Sequence, residues 1–282
     1  MIITNENIFL IVFGLIWIIG AVLQDLHRRE VDNLWNFSLI GIALDYRAAV
    51  SVFEWNYWFL LNGLIGLGIF LLLGNLFYYS RLFAGGDAKL LIALGPVLPL
   101  SYDWIVNLKI FITFILLFLI GGSIYSIFYA FGLMSANWDK FKTEFAKKLA
   151  SSLKMILIVL IGVITWVIIM FFLEEKELIL IGLIFLLFPI LFVFSKAIEE
   201  SCLVKKVSPE KLTIGDWLYK DIKVGRKTIK KNWEGVSASE LDFIREKYRG
   251  EILVKQGIPF TPGFLIGFIG LLVLSLLGWF GL

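Results

Sequence analysis

Two carboxylates stand out in an otherwise apolar chain. Asp25, in "QDLHRREVDN", follows the first hydrophobic run, and Asp87, in "RLFAGGDAKLL", opens a later one. Ionisable residues at membrane depth are costly and mark functional sites. Two carboxylates that share a partly dry site cannot both ionise readily, so one keeps a proton and serves as acid while the other acts as base. Such a pair can activate a water against a peptide carbonyl and then protonate the leaving amine, with no metal and no covalent nucleophile. Gly85 and Gly86 are free to adopt positive φ angles and to let an extended substrate backbone come close. Each aspartate also has a plainer reading: Asp87 as the N-cap of the helix that follows it, and Asp25 as part of a surface ion pair beside His27, Arg28 and Arg29.

Other chemistries find few residues to work with. His27 is the only histidine, so an HExxH zinc site is absent and a Ser-His dyad would have to use the end of the first apolar run. Cys202 is the only cysteine, which rules out an internal disulfide and an all-cysteine metal cage within one chain. "GGSI" at 121–124 reads as small residues at a helix interface rather than as a serine nucleophile. "VGRKTIKK" lacks the spacing of a phosphate-binding loop; its lysines are expected to face anionic lipid headgroups or water. Asp45, Glu54, Asp103, Glu174 and Glu175 read as loop residues, and Asp216 as a turn residue.

The elements that must position the pair are membrane spans. The 282-residue chain is 59% hydrophobic and 16% aromatic, with a mean hydropathy of +0.87, well above a soluble domain. Its net charge of +3 points to no nucleic-acid partner. Since roughly 20 apolar residues cross a bilayer, uninterrupted runs place spans at 8–23, 34–49, 57–79, 88–100, 110–134, 155–173, 178–194 and 258–280. The expected fold is an all-α polytopic membrane protein of about eight helices, fewer if the second or fourth is partial, with a small α+β insert before the last helix. The second run is broken by Asp45 and Arg47, and the fourth carries Pro96 and Pro99. The first run has no basic segment before it and no small-residue cleavage site after it, so it reads as a retained span.

Loop charges orient these spans. With alternating loops, 23 of the 26 Lys and Arg residues fall on one side, and only Arg47, Lys109 and Lys176 on the other. The positive-inside rule then places Asp25, Asp87 and the polar segment 195–257 at the cytoplasmic face of the cell membrane, with both termini outside. The expected divisions are a catalytic core at 1–134, an amphipathic helix and extra hairpin at 135–194, the α+β insert at 195–257 and a last helix at 258–282. In 138–154, apolar residues at helical spacing alternate with lysines, the pattern of an interfacial anchor. "SASELDFIREKYRG" opens with Ser237 and Glu240 at capping-box spacing, and "KLTIGDWLYKDIKV" mixes strand formers with a Gly-Asp turn.

Taken in order, "QDLHRREVDN", "GGDAKLL" and "GIPFTPGFLIGF" resemble the GxGD intramembrane aspartyl proteases, in particular the archaeal type IV prepilin and preflagellin peptidases. The resemblance covers the first four spans, the polar insert and the last span. It implies that Asp25 and Asp87 are the catalytic pair. It also implies that Ala84, Gly85, Gly86 and Lys89 form the substrate-approach loop, and that Pro259, Phe260 and Pro262 border the active site. Ala84 stands where the family's first glycine would be. Substrates implied by the resemblance are pilin or archaellin precursors, whose basic leader precedes a hydrophobic helix. No cofactor is implied. The family's bacterial relatives also methylate the new N-terminus and carry paired CxxC motifs; a chain with one cysteine is expected to be a peptidase without methyltransferase activity. From the residues alone, a proton- or ion-coupled transporter using the same aspartates, or an inactive scaffold, stays open.

Overall fold

The computed structural model describes residues 4–225 and 227–280. Among them are the helices α1 (Asn5–Arg28), α2 (Asn33–Phe53), α3 (Trp58–Tyr79), α4 (Gly85–Ala93), α5 (Trp104–Ala136), α6 (Trp138–Ser151), α7 (Leu153–Phe172), α8 (Lys176–Phe185), α9 (Leu187–Ile198), α10 (Ala238–Lys247) and α11 (Thr261–Leu276). Five short strands, β1 (Val204–Val207), β2 (Trp217–Leu218), β3 (Ile222–Val224), β4 (Lys227–Ile229) and β5 (Ile252–Lys255), lie in the polar insert. Contacts divide the chain into two units, Met1–Phe128 with Pro259–Leu282, and Tyr129–Ile258.

Five helical runs among the described residues are long and apolar enough to cross a membrane: Asn5–Arg28, Trp58–Tyr79, Trp104–Ala136, Leu153–Phe172 and Glu177–Leu203. That is fewer than the eight expected. The last apolar helix, α11, has 16 residues. The second expected span does form a continuous 21-residue helix, α2, but its charges lower its hydropathy. The fourth departs most, because α4 is a helix of only nine residues.

In the first unit, the fourth run explains itself through its prolines. Pro96 and Pro99 lack the N–H groups a longer helix would need, and the chain after Ala93 turns and then extends to Leu100, with residues 93–100 all buried. Its path is fixed along α1: the Asn7 Nδ2 donates to the Leu100 carbonyl at 2.7 Å, and a Cβ on Gly14 would lie 3.0 Å from Val97. Asn7 and Asp25 are about 27 Å apart along a helix rising ~1.5 Å per residue.

Irregular backbone at such depth survives only where protein supplies its hydrogen bonds. Here the donors are side chains. Arg47, fully buried in α2, donates from Nε to the Pro96 carbonyl at 2.7 Å, from Nη1 to that of Phe59 at 2.8 Å, and from Nη2 to that of Pro99. Asn107 exchanges two bonds with Ser101, and Asn62 adds a third. Arg47 is therefore a buried clamp on the broken segment and not the loop charge expected from the sequence.

Glycines let these elements touch. A Cβ on Gly66 of α3 would collide with the Gly95 carbonyl, and one on Gly263 of α11 would lie 2.7 Å from the Gly122 Cα of α5. The "GGSI" stretch is thus a helix interface, as its small residues implied. Phe70, Phe114, Phe118, Phe264 and Phe268, all fully buried, fill the space around them.

In the second unit, α6 sets Phe141 against Phe194 of α9, with ring centroids 5.7 Å apart, while its lysines stay exposed or pair with acids. The amphipathic helix is present as expected, ending at Ser151. After α9, a π-helical turn, Glu199–Leu203, runs directly into β1. The sheet has the order β1-β5-β2 with antiparallel neighbours, and β3 and β4 form a separate antiparallel pair joined through Gly225 at φ 60°. Leu212, Leu218, Val224, Ile229, Val236, Leu241, Ile244, Ile252 and Val254 make a small core under them. Ser237 and Glu240 form the capping box that starts α10.

Candidate active site

Asp25 lies one turn before the end of α1, whose C-cap Arg29 takes the left-handed conformation and donates its N–H to the Asp25 carbonyl at 2.9 Å. The Asp25 side chain is buried, with 8% of its surface exposed. Its Oδ2 accepts the Thr261 hydroxyl at 2.8 Å and the Thr261 backbone N–H at 3.4 Å. Among the described residues no ion pair joins Asp25 to Arg28, the plain alternative; Arg28 pairs with Asp32 at 3.1 Å.

Thr261 is the first residue of α11, so its N–H has no acceptor within its own helix. Pro262 follows in the first turn, where a missing N–H costs nothing. The positive end of α11 is therefore closed by a carboxylate from α1, a favourable arrangement for the helix dipole. Thr261 is a site residue that reading the sequence missed, although it sits between Phe260 and Pro262, both of which were named. A contact 236 residues away in the chain leaves no local pattern. The available signal was a hydroxyl residue next to a proline at a helix start.

Asp87 is in the first turn of α4. The helix begins at Gly85, with Ala84 as its N-cap in extended conformation, and the Ala84 carbonyl accepts the Ala88 N–H at 3.1 Å. The start of α4 decides both the glycines and the plainer reading of Asp87. Gly85 and Gly86, though free to adopt positive φ, are helical here, because the helix starts two residues ahead of the aspartate. Asp87 is the third helical residue and not the N-cap, for the same reason. The glycines do keep the approach open: a Cβ on Gly86 would meet only the Val31 nitrogen at 3.9 Å, and one on Gly85 only Tyr78 at 3.7 Å.

The half-buried Asp87 carboxylate lies within electrostatic reach of Asp25. No hydrogen bond or ion pair among the described residues engages its oxygens. Lys89, on the exposed side of α4, donates to Asn33 Oδ1 at 2.7 Å and so ties that first turn to the start of α2. Gln24 Oε1 accepts the Asp32 N–H at 3.0 Å, bracing the α1–α2 link from the other side.

The segment before α4 is held by aromatic packing. Phe83 meets Phe77, Phe118 and Phe260, with centroids 4.8, 5.5 and 5.8 Å away. Phe260 thereby joins the Pro259–Pro262 stretch to the loop leading into Asp87, while Thr261 joins it to Asp25. The structure thus brings together Asp25, Asp87, Ala84, Gly85, Gly86, Phe260 and the flanking Pro259 and Pro262. Lys89 faces away toward α2.

Among the described residues no cluster of histidine, cysteine and acidic side chains could hold a metal ion. Two carboxyl groups within electrostatic reach of each other can divide the roles of proton donor and proton acceptor. No curated protein matches the chain. The family model described as the type IV leader peptidase family matches residues 12–131, a stretch that holds both aspartates and the broken segment that follows Asp87. Over residues 12–131, then, the chain is similar to the type IV leader peptidase family.

Proposed function

We propose that the protein is a membrane-embedded aspartyl endopeptidase that removes the basic leader from type IV pilin-like or archaellin precursors. The cut takes place at the cytoplasmic face of the cell membrane, with Asp25 and Asp87 as the catalytic pair. The observation that supports this most is their placement, Asp25 in the last turn of α1 braced by Thr261, and Asp87 in the first turn of α4 with no side chain among the described residues engaging it. In this reading both termini are outside, the 195–257 segment is inside, and the 85–100 segment crosses the membrane buried among its neighbours.

The chemistry follows from one shared proton. The ionised carboxylate takes a proton from water as the water oxygen bonds to the scissile carbonyl carbon, and the other carboxyl gives its proton to the carbonyl oxygen. The tetrahedral intermediate collapses as the amide nitrogen accepts a proton and the C–N bond breaks, leaving a new carboxyl on the leader and a new amine on the mature subunit. No cofactor takes part. Leader recognition at Ala84, Gly85 and Gly86 uses their small size, since an extended backbone needs to lie against α4.

Incubating the reconstituted protein with leader peptides and S-adenosylmethionine, scored by mass, tests the reading. One cut between the basic leader and the hydrophobic helix is expected, without a methyl group on the new N-terminus. Absence of cleavage across a broad panel contradicts the peptidase assignment, and a methylated product contradicts the restriction to peptidase chemistry.

Thr261 acts in this scheme as a positioning residue. Thr261→Val keeps its shape but removes the hydroxyl donor to Asp25, and kcat is expected to fall on the order of tenfold or more with KM little changed. Thr261→Ser should restore most of the rate. Equal rates for Val and Ser at this position would show that the hydroxyl does not matter.

A further inference from the structure

Within residues 204–257 most large apolar side chains among the described residues are buried or half-buried, and two are exposed. Ile214 is 59% exposed and Trp217 is 36% exposed. Both lie in one turn. Gly215, at φ 91°, donates its N–H to the Val236 carbonyl at 2.9 Å, the Val236 N–H returns to the Asp216 carbonyl at 3.0 Å, and the Asp216 carboxylate accepts the Thr213 N–H at 2.7 Å. The turn is therefore held in shape, and its one acidic side chain is used internally.

Strand register shows where this turn sits. Val204, the first residue after the helical run 177–203, pairs with Lys255, and Lys255 pairs with Trp217. Trp217 thus belongs to the row of the sheet nearest the end of that run. Because β1 and β2 are both antiparallel to β5, they run in the same direction, away from the helix end. The turn that precedes β2, with Ile214, lies nearer still to that end.

The same level is marked by charge. Glu199 pairs with Lys196 and Lys255, each at 3.0 Å, and Glu200 accepts from Lys148 of α6 and from the Tyr219 hydroxyl. Aromatic and basic side chains gathered where an apolar helix ends are the mark of the bilayer interface. Lys211 and Lys220 flank the turn and are exposed.

We propose that the Ile214–Trp217 turn is a membrane-docking element: Ile214 and the Trp217 ring enter the interface of the leaflet from which the 177–203 run emerges, and Lys211 and Lys220 meet anionic headgroups. The two side chains supply the apolar contact and the lysines the electrostatic attraction that together hold a peripheral segment on lipid. The polar insert is then fixed to the bilayer at two places, the helix end and the turn. This inference rests on the membrane placement of the 177–203 run and not on the peptidase reading.

Site-directed spin labelling in nanodiscs containing anionic lipid tests it directly. In a Cys202→Ala background, which removes the single buried thiol, labels are placed by Ile214→Cys and Trp217→Cys. Ile181→Cys, on the exposed apolar side of α8, gives the lipid reference, and Glu251→Cys, next to the far end of β5 and exposed, gives the aqueous one. The labels at 214 and 217 are expected to collide with oxygen in severalfold preference to a water-soluble nickel complex, approaching the label at 181. Collision behaviour like that at 251 would overturn the proposal, as would protection from both reagents, which would mean that protein covers the turn.

Discussion

Asp87→Asn and Asp25→Asn should each lower the rate of leader cleavage by about a thousandfold or more, since each removes one end of the proton transfer that general acid–base catalysis depends on. Asparagine matches aspartate in shape, so the loss should come without unfolding. At position 87 no hydrogen bond is disturbed, and at position 25 the amide oxygen can still accept from Thr261. The double variant should be no slower than either single one, because two residues that act as a unit lose their function together. Rates in nanodiscs, read beside a thermal melt of each variant, check this; a variant that melts like wild type and cleaves at close to its rate removes that aspartate from the mechanism.

A different kind of loss is expected at Arg47. Its three bonds to the carbonyls of Phe59, Pro96 and Pro99 are made in a site with no exposed surface, and its guanidinium also lies 4.6 Å from the Phe59 ring centre. Arg47→Met removes a costly buried charge but leaves three carbonyls with no donor, each a penalty of about 1–3 kcal/mol. With the removed desolvation cost offsetting part of this, the net expectation is a destabilisation of about 2–5 kcal/mol. Arg47→Lys should recover only part of it, because a single ammonium lacks the planar fork that reaches three acceptors at once. Equilibrium unfolding in mixed detergent micelles measures both. If Arg47→Met is as stable as wild type, the broken segment does not depend on this clamp. Since the far end of that segment begins at Asp87, a true loss of the clamp should also reduce cleavage.

These two sites differ in how far the sequence revealed them. Asp25 and Asp87 could be found because charges are scarce in apolar runs and because the basic loops placed both aspartates on one face. The helices α1, α3, α5 and α7 follow from uninterrupted apolar runs, α6 from phenylalanines at helical spacing between lysines, and α10 from its capping box. The path of residues 85–100 could not be read in the same way. An apolar run looks alike whether it forms a crossing helix or a buried irregular strand, and only its prolines hinted at the second. Arg47 looked like a loop charge because its acceptors are backbone carbonyls, which no side-chain pattern announces. Thr261 was hidden for a related reason: its partner is set by how α11 packs on α1. The conformation of Gly85 and Gly86 is equally unreadable, because glycine permits positive φ without requiring it, and here the helix start decides.

Cleavage in water enriched in oxygen-18, followed by mass analysis of both fragments, tests most directly whether this aspartate pair hydrolyses leader peptides with water. Wild-type protein should produce one cut at the junction of basic leader and hydrophobic helix, with the heavy oxygen in the leader's new carboxyl group, and Asp87→Asn should produce no labelled leader. A labelled leader from folded Asp87→Asn protein in wild-type amount, or no cut by the wild type, would contradict it.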